Sequence, residues 1–187
     1  GELKMEVKVR RSMLYIPGNN PGMLQIADIF GADSVLFDLE DSVPHNEKDA
    51  ARDLVANMLR FRKYENLEIT VRINPLDTPY IEKDIKEIIY AKNVDAIRLP
   101  KTNYARDVKK VEKLVEKYEK EAGLKRGKIK IHPMVETAMG VEHCFEIATS
   151  SKRVDAITIG GQDLTADMGV KESKSGEEIL WARSRIV

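Results

Sequence analysis

Six short runs of apolar and β-branched residues alternate along this chain with longer stretches that have helical periodicity and carry most of the charge. Such alternation is typical of βα units built on a parallel sheet. The predicted strands start 22 to 34 residues apart, close to the length of about 30 residues that a strand and its crossover helix need. The predicted strands are 12–16, 34–39, 68–73, 94–99, 128–135 and 154–160.

Helices are predicted between these strands. In the fourth of them Val108, Val111, Leu114, Val115 and Tyr118 share one face, and the remaining positions are rich in lysine and glutamate. This helix therefore has one buried side and one solvated side, and its charge run is interpreted as surface. The predicted helices are 21–30, 47–60, 80–91, 105–122 and 141–150, with a last one that begins near Gly176.

No linker rich in Gly, Ser or Pro divides the 187 residues, so residues 1–187 are predicted to form a single α/β domain. Six regular βα units favour a TIM (β/α)8 barrel over an open doubly wound sheet. That barrel usually takes eight units and about 250 residues. We therefore expect an incomplete TIM-barrel catalytic domain of about six βα units, in a polypeptide that continues for roughly a hundred residues.

An incomplete barrel would leave its first and sixth strands as edges with unpaired backbone groups. It would also leave apolar side chains inside the barrel partly exposed. We expect this exposure at inward-facing residues of the strands, or at their neighbours in the same strands. The residues that we assign to the inward face are Val35, Val71, Ile97 and Ile131.

Composition excludes several classes of function. The 31 basic and 31 acidic residues balance, so no basic excess predicts binding to nucleic acid. Cys144 is the only cysteine, which excludes an internal disulfide and is typical of a reducing compartment. No apolar run approaches the 18 to 20 residues of a membrane span, and residues 1–11 have no apolar stretch typical of a signal peptide. We expect a cytoplasmic protein without a membrane or nucleic-acid partner.

Parallel α/β folds place their active sites at the carboxyl ends of the strands. Glu136 and Asp163 are predicted to end strands five and six, which lie about 4.8 Å apart. Two carboxylates at the ends of neighbouring strands suit Mg²⁺, because this ion prefers oxygen ligands and retains water. The sequence contains no Cys/His cluster of the kind that binds Zn²⁺. The alternative is that each acid stabilises the N-terminus of the following helix.

Arg72 lies in an apolar strand, where a charge needs a partner. Its guanidinium could bind a substrate carboxylate through two parallel hydrogen bonds, or it could form a structural ion pair with a barrel acid. Alternation places Asp38 and Glu40 on one face of strand two. Together with Asp41, they are candidates to orient Arg72 or Lys101 rather than to touch substrate.

Lys101 follows Pro100 at the end of strand four. A desolvated lysine there could form a Schiff base, but we favour a cation in the site or on the surface. No histidine has a metal-ligating partner at suitable spacing, so His45, His132 and His143 are interpreted as structural or surface residues. Cys144 is interpreted as a small buried side chain, and the Gly160–Gly161 pair as a tight turn.

Six segments at the strand ends resemble, in this order, one family of lyases. They are RSMLYIPG at 11–18, LFDLEDSV at 36–43, VRINP at 71–75, RLPK at 98–101, MVETA at 134–138 and GGQDLT at 160–165. The chain from about residue 10 resembles the family of the citrate lyase β subunit, which also contains malyl-CoA and citramalyl-CoA lyases.

The resemblance implies a Mg²⁺-dependent carbon–carbon lyase on a TIM barrel. It would cleave a (3S)-citryl thioester, carried by acyl carrier protein or CoA, into an acetyl thioester and oxaloacetate, as in citrate fermentation. It implies Glu136 and Asp163 as metal ligands and Arg72 as the arginine that binds a substrate carboxylate. Arg72, Glu136 and Lys101 are expected to contact substrate. Other citrate lyase subunits are expected partners, and the protein is expected to form a homo-oligomer.

Two alternatives remain. A malyl-CoA or citramalyl-CoA lyase, or a malyl-CoA thioesterase, would use the same carboxylates and Arg72, and the identity of the product would distinguish it. A scaffold subunit that keeps the fold but binds no metal belongs to another class, and a titration with Mg²⁺ would identify it.

Overall fold

The computed structural model describes residues 8–187. Residues 1–7 lie outside the described part. The structure therefore does not cover the start of the predicted domain, nor most of residues 1–11, which were predicted not to form a signal peptide. Among residues 8–187 no helix is both long enough and apolar enough to cross a membrane.

A single sheet of six parallel strands forms the centre of the fold, and the strands lie side by side in chain order. This order confirms the predicted succession of βα units. Five strands lie within two residues of their predicted bounds, whereas the sixth is much shorter than the predicted 154–160. The strands are β1 (Met13–Pro17), β2 (Ser34–Asp38), β3 (Glu68–Arg72), β4 (Ala96–Leu99), β5 (Lys130–Val135) and β6 (Thr158–Ile159).

The helices that follow the strands agree with prediction most closely where they are long. Shorter ones are broken: the predicted helices 21–30 and 141–150 each consist of two pieces. One helix, Gly161–Asp167, is absent from the prediction. The α-helices are α1 (Pro21–Gln25), α2 (Lys48–Phe61), α3 (Ile81–Ala91), α4 (Ala105–Glu121), α5 (Ala138–Glu142), α6 (Cys144–Thr149), α7 (Gly161–Asp167) and α8 (Leu180–Ile186). Short 3₁₀ helices cover Ala27–Phe30, His45–Glu47 and Glu177–Ile179.

The hydrophobic core lies between the sheet and its helices. Val35, Val71, Ile97 and Ile131 are completely buried there, packed with apolar residues of the helices. The expectation that these four side chains point into the barrel and stay partly exposed is therefore wrong. Helices α2, α3 and α4 bury their apolar faces against this side of the sheet, which is why β-branched residues occupy it.

The opposite face of the sheet is polar. Arg72, Arg98 and His132 are register partners on β3, β4 and β5, so they share this face. Arg98 is only 1% exposed, and its guanidinium lies 3.4 Å from both the Tyr15 hydroxyl and the Met13 sulfur. Burial lowers the pKa of Arg98. Most of the neighbours in the same strands that we expected to be exposed are thus also buried, among them Arg72, Arg98 and His132, whereas Lys130 is half-buried.

The sheet is curled, and its two edge strands approach each other. Arg10, which precedes β1, donates to Asp155, which precedes β6, with 3.1 Å between Nη2 and Oδ2. The same guanidinium binds Glu68 at the start of β3. At the other end of the strands, one cleft contains both Tyr15 of β1 and Ile159 of β6. The curl brings the carboxyl ends of all six strands around a common space.

Candidate functional site

The residues singled out from sequence gather at the carboxyl ends of the strands. Asp38 and Arg72 are the last residues of β2 and β3, Lys101 is two residues beyond β4, and Glu136 follows β5 directly. Asp163 is the exception. It was predicted to end strand six, but β6 ends at Ile159 and Asp163 lies in the first turn of α7.

Arg72 is paired with acidic side chains. Its Nε and Nη2 donate to the two carboxylate oxygens of Asp38, both at 2.7 Å. Its Nη1 lies 3.1 Å from Glu40 Oε2 and 3.2 Å from Asp41 Oδ2. Burial opposes the charge on Arg72, yet the hydrogen bonds with Asp38 raise its pKa above the ordinary value. The structural ion pair considered from sequence is therefore present. Nη1 also has acidic partners, so a ligand carboxylate at this nitrogen would compete with Asp41 or Glu40.

Asp38 is held in place by the turn that follows β2. Burial opposes its charge, but hydrogen bonds from Arg72 lower the pKa of Asp38. The backbone N–H groups of Glu40 and Ser42 also donate to it, at 2.9 and 3.0 Å. The acid thus orients the guanidinium, as predicted, because its own oxygens are fixed by the turn.

Glu40 is only 3% exposed, and its carboxylate lies between two cations. One oxygen is 3.1 Å from Arg72 Nη1, and the other is 3.5 Å from Lys101 Nζ. Within residues 8–187 neither oxygen receives a hydrogen bond of good geometry. Burial raises the pKa of Glu40 to about 7, and the cations only partly offset this effect.

Glu40 should make stability depend on pH. Because its pKa is higher in the folded chain than in the unfolded one, stability should fall as pH rises from about 4.5 to about 7, by at most about 3 kcal/mol. Glu40→Gln should remove this loss. Urea unfolding at pH 5 and pH 7.5 without divalent cations measures it, with Glu65→Gln as an exposed control. An equal pH dependence in wild type and Glu40→Gln would contradict the assignment.

Glu136 is a buried acid with one oxygen already engaged. It is 3% exposed, and its Oε2 accepts a hydrogen bond from the backbone N–H of Lys101 at 2.7 Å. Burial raises its pKa, and the charge of Asp163 adds to the rise. Mutual repulsion of this kind between neighbouring carboxylates is relieved by a bound cation.

Gly160 makes room for Glu136. A Cβ at this position would lie 2.6 Å from Glu136 Oε1, closer than any tolerated contact. We therefore expect Gly160→Ala to displace the carboxylate and to weaken Mn²⁺ binding by at least tenfold. Isothermal titration with Mn²⁺ measures this, with Gly161→Ala as the control because its nearest contact is a flexible Ile179 methyl at 3.3 Å. Equal affinities in the two variants would contradict the expectation.

The local charge fits a divalent cation. Five carboxylates and three cations meet here, so two negative charges remain when all are ionised. The acids are Asp38, Glu40, Asp41, Glu136 and Asp163, and the cations are Lys48, Arg72 and Lys101. Oxygen ligands suit Mg²⁺, which keeps several waters. Residues 8–187 hold no group of three or more His, Cys, Asp or Glu side chains placed for a metal.

Two clefts meet at the carboxylate pair. A cleft of about 570 Å³ is lined by Tyr15, Arg72, Glu136 and Asp163. A second cleft of about 620 Å³ is lined by the same two acids together with cationic side chains, which are Lys101, Arg106 and Lys110. A third, of about 630 Å³, lies at the amino ends of the strands and contains none of the site residues. The acids therefore border two spaces that could take different parts of one ligand.

The sequence predicted the roles of three further residues but not the place of two cationic residues beside the cleft. His132 is buried and bonded to Asp155 at 2.8 Å, and Cys144 is buried, which confirms their structural interpretation. For Lys101, burial opposes the charge, but Glu40 raises its pKa; this disfavours the neutral amine that a Schiff base needs. Arg106 and Lys110 were read as part of a surface charge run, because periodicity alone does not reveal a cleft beside a helix N-terminus.

The sequence model of the family described as HpcH/HpaI aldolase/citrate lyase matches residues 11–187. Citrate lyase subunit beta of Leuconostoc mesenteroides subsp. cremoris is 43% identical over 96% of this chain and 59% of its own length. L-malyl-CoA/beta-methylmalyl-CoA lyase of Rhodobacter capsulatus is 33% identical over 90% of this chain and 54% of its own. The chain thus spans about three fifths or less of these curated relatives.

Solved structures agree with this similarity. The citrate lyase beta subunit of M. tuberculosis, complexed with oxaloacetate and magnesium, superposes with a TM-score of 0.72 at 27% identity. The match covers 93% of this chain and 70% of that one. With the family match over residues 11–187, these similarities show that the chain belongs to the HpcH/HpaI aldolase/citrate lyase family.

Proposed function

We propose that the protein is a Mg²⁺-dependent carbon–carbon lyase that cleaves a citryl thioester into an acetyl thioester and oxaloacetate. The observation that carries this proposal is the Glu136–Asp163 pair, two neighbouring acids with oxygen ligands at the junction of two clefts. The names of the similar citrate lyase subunits and of the magnesium-complexed structure support it.

In this proposal Glu136 and Asp163 would hold Mg²⁺, which would supply Lewis-acid stabilisation of the negative charge that develops during cleavage. Arg72 Nη1 binds a substrate carboxylate while Asp38 fixes the plane of the guanidinium. Lys101 adds a positive charge on the other side of the acids. A base takes the proton of the substrate hydroxyl, and the O–H electron pair forms the keto C=O of oxaloacetate. The electron pair of the broken carbon–carbon bond leaves on the thioester enolate, whose carbon takes up a proton, so that one proton is removed and one is returned.

The wider assembly is also a proposal. We infer that residues 1–187 belong to one TIM-barrel catalytic domain, in which the six strands are part of a (β/α)8 barrel. The curled, sequentially ordered sheet and the greater length of the curated relatives support this inference. The thioester would be carried by acyl carrier protein or CoA. Other citrate lyase subunits and further copies of this protein would be its partners.

A second candidate is a malyl-CoA or citramalyl-CoA lyase, or a malyl-CoA thioesterase. The 33% identity with a malyl-CoA/β-methylmalyl-CoA lyase favours it. Such an enzyme would use the same acids and Arg72 and would release glyoxylate, pyruvate or malate.

The experiment offers citryl-CoA, citryl acyl carrier protein and malyl-CoA in separate assays, each with Mg²⁺ and with EDTA. We expect oxaloacetate from a citryl thioester, with at least 100-fold loss of turnover in EDTA. Glyoxylate from malyl-CoA alone would favour the second candidate. No product from any thioester, together with no saturable Mg²⁺ binding, would identify the scaffold alternative.

A further inference from the structure

Lys101 has a left-handed backbone. Its φ is +49°, and among the described residues only Asn66 and Lys92 share a positive φ without being glycine. Lys92 ends α3 and Asn66 lies in a turn, which are common places for this conformation. Lys101 lies beside the acidic pair instead. Because a Cβ makes this conformation unfavourable, something in the surroundings must hold it.

The Lys101 backbone is bonded to Glu136 and is followed by a bond to β5. The Lys101 N–H donates to Glu136 Oε2 at 2.7 Å. The next N–H, that of Thr102, donates to the carbonyl of Met134 in β5 at 3.0 Å. Glu136 Oε1 lies against Gly160 on the other side. The rotamer of Glu136 is therefore set by the backbone N–H of Lys101 and by the absence of a side chain at Gly160.

The Lys101 side chain forms an ion pair with Glu40, which follows β2. Its ammonium lies 3.5 Å from Glu40 Oε1. The carboxylate of Glu40 is almost completely buried, and its other oxygen contacts Arg72. Glu40 is thus a fixed anchor, whereas the Lys101 side chain is 47% exposed and would otherwise be free to move.

We propose that Lys101 is a positioning residue for Glu136 that acts through its backbone N–H, and that Glu40 holds the Lys101 backbone left-handed by anchoring the ammonium. This inference rests on the proposed metal site. This role differs from a purely electrostatic one. An ammonium near a cation site repels the metal, so if Lys101 acted only through its charge, its removal would tighten metal binding.

The test compares Lys101→Ala with Lys101→Gly by calorimetric titration with Mn²⁺. Both variants remove the ammonium, but only glycine adopts the left-handed conformation without strain. We expect Mn²⁺ affinity to be about tenfold weaker in Lys101→Ala than in Lys101→Gly, the ratio that a left-handed cost of 1 to 2 kcal/mol gives. Affinities within twofold of each other would overturn the proposal.

A double-mutant cycle tests the anchor. Glu40→Gln should weaken Mn²⁺ binding at least threefold more in the wild-type background than in the Lys101→Gly background. In Lys101→Gly the left-handed conformation carries no strain, so it does not depend on Glu40. Glu142→Gln, which changes an exposed acid at the end of α5 outside the site, should act equally in both backgrounds. An equal effect of Glu40→Gln in both backgrounds would overturn the role of Glu40. Wild-type protein that binds no Mn²⁺ would contradict the metal site itself, a result distinct from a failure of positioning.

Discussion

Glu136→Gln and Asp163→Asn should each weaken the binding of Mg²⁺ or Mn²⁺ by more than about 100-fold, beyond the 10- to 100-fold effects typical of groups that only support a ligand. Each replacement keeps the shape of the side chain and removes one of two anionic ligands. Titration with Mn²⁺ measures the affinity, and oxaloacetate release at limiting metal measures the activity. Glu142→Gln is the control, because this exposed acid lies just beyond the site at the end of α5.

The stability of these variants provides a second criterion. Burial and the charge of Asp163 raise the pKa of Glu136, so ionised Glu136 destabilises the metal-free fold. Glu136→Gln should therefore unfold at the same temperature as wild type or higher without metal, and should lose the rise that Mg²⁺ gives wild type. Full activity of both variants at limiting metal would show that these acids are not the ligands.

Arg72→Lys should lower kcat/KM by at least about 100-fold, because an ammonium cannot reproduce the planar fork that meets Asp38 and leaves Nη1 toward the cleft. It should also destabilise the fold, because the lysine ammonium cannot replace both hydrogen bonds of Arg72 with Asp38. The loss should stay below about 3–5 kcal/mol, the cost of removing one partner of a buried pair, since a cation is kept. Steady-state kinetics and urea unfolding measure the two effects.

Asp38→Asn separates the two contributions of Arg72. This variant disrupts the same ion pair but keeps the guanidinium. If Arg72 binds substrate, Arg72→Lys should lose more kcat/KM than Asp38→Asn at comparable loss of stability. Parallel losses of stability and activity in the two variants, or a change under threefold in Arg72→Lys, would mean that Arg72 is only structural.

The succession of elements could be predicted because it depends on local patterns. Strands such as β2 and β3 are short β-branched or aromatic runs, and α4 places Val108, Val111 and Val115 on one face. Parallel strands need long crossovers, so spacing alone indicated the topology. Prediction was weaker for α5, α6 and α7, because helices of five to seven residues contain too few turns to show a period.

The error at Asp163 has a specific cause. The sequence pattern predicts one strand over residues 154–160, but only Thr158 and Ile159 pair with β5, apart from a single bridge at Val154. The chain then enters α7 at Gly161. A residue two positions after a glycine pair can end a strand or begin a helix, and only pairing with a neighbouring strand decides between them.

The two faces of the sheet illustrate the limit of alternation. The alternation of residues such as Ile69, Val71 and Ile97 showed that one face of the sheet is apolar. It did not show whether that face packs against the helices or points to the inside of the curled sheet. The curl of the sheet placed these residues under the helices and left Arg72 and Arg98 inside. Packing against amphipathic helices made that choice, because it buries the larger apolar area.

Residue types and strand ends were therefore enough to identify the acids, Arg72 and Lys101 as one candidate site, because carboxyl ends of parallel strands meet at one edge. The pairing of Arg72 with Asp38, the burial of Glu40 between two cations and the left-handed Lys101 that bonds Glu136 depend on distances between strands. Those distances exist only after the sheet has curled, since the partners are 34 or 35 residues apart in sequence for Arg72–Asp38 and Lys101–Glu136.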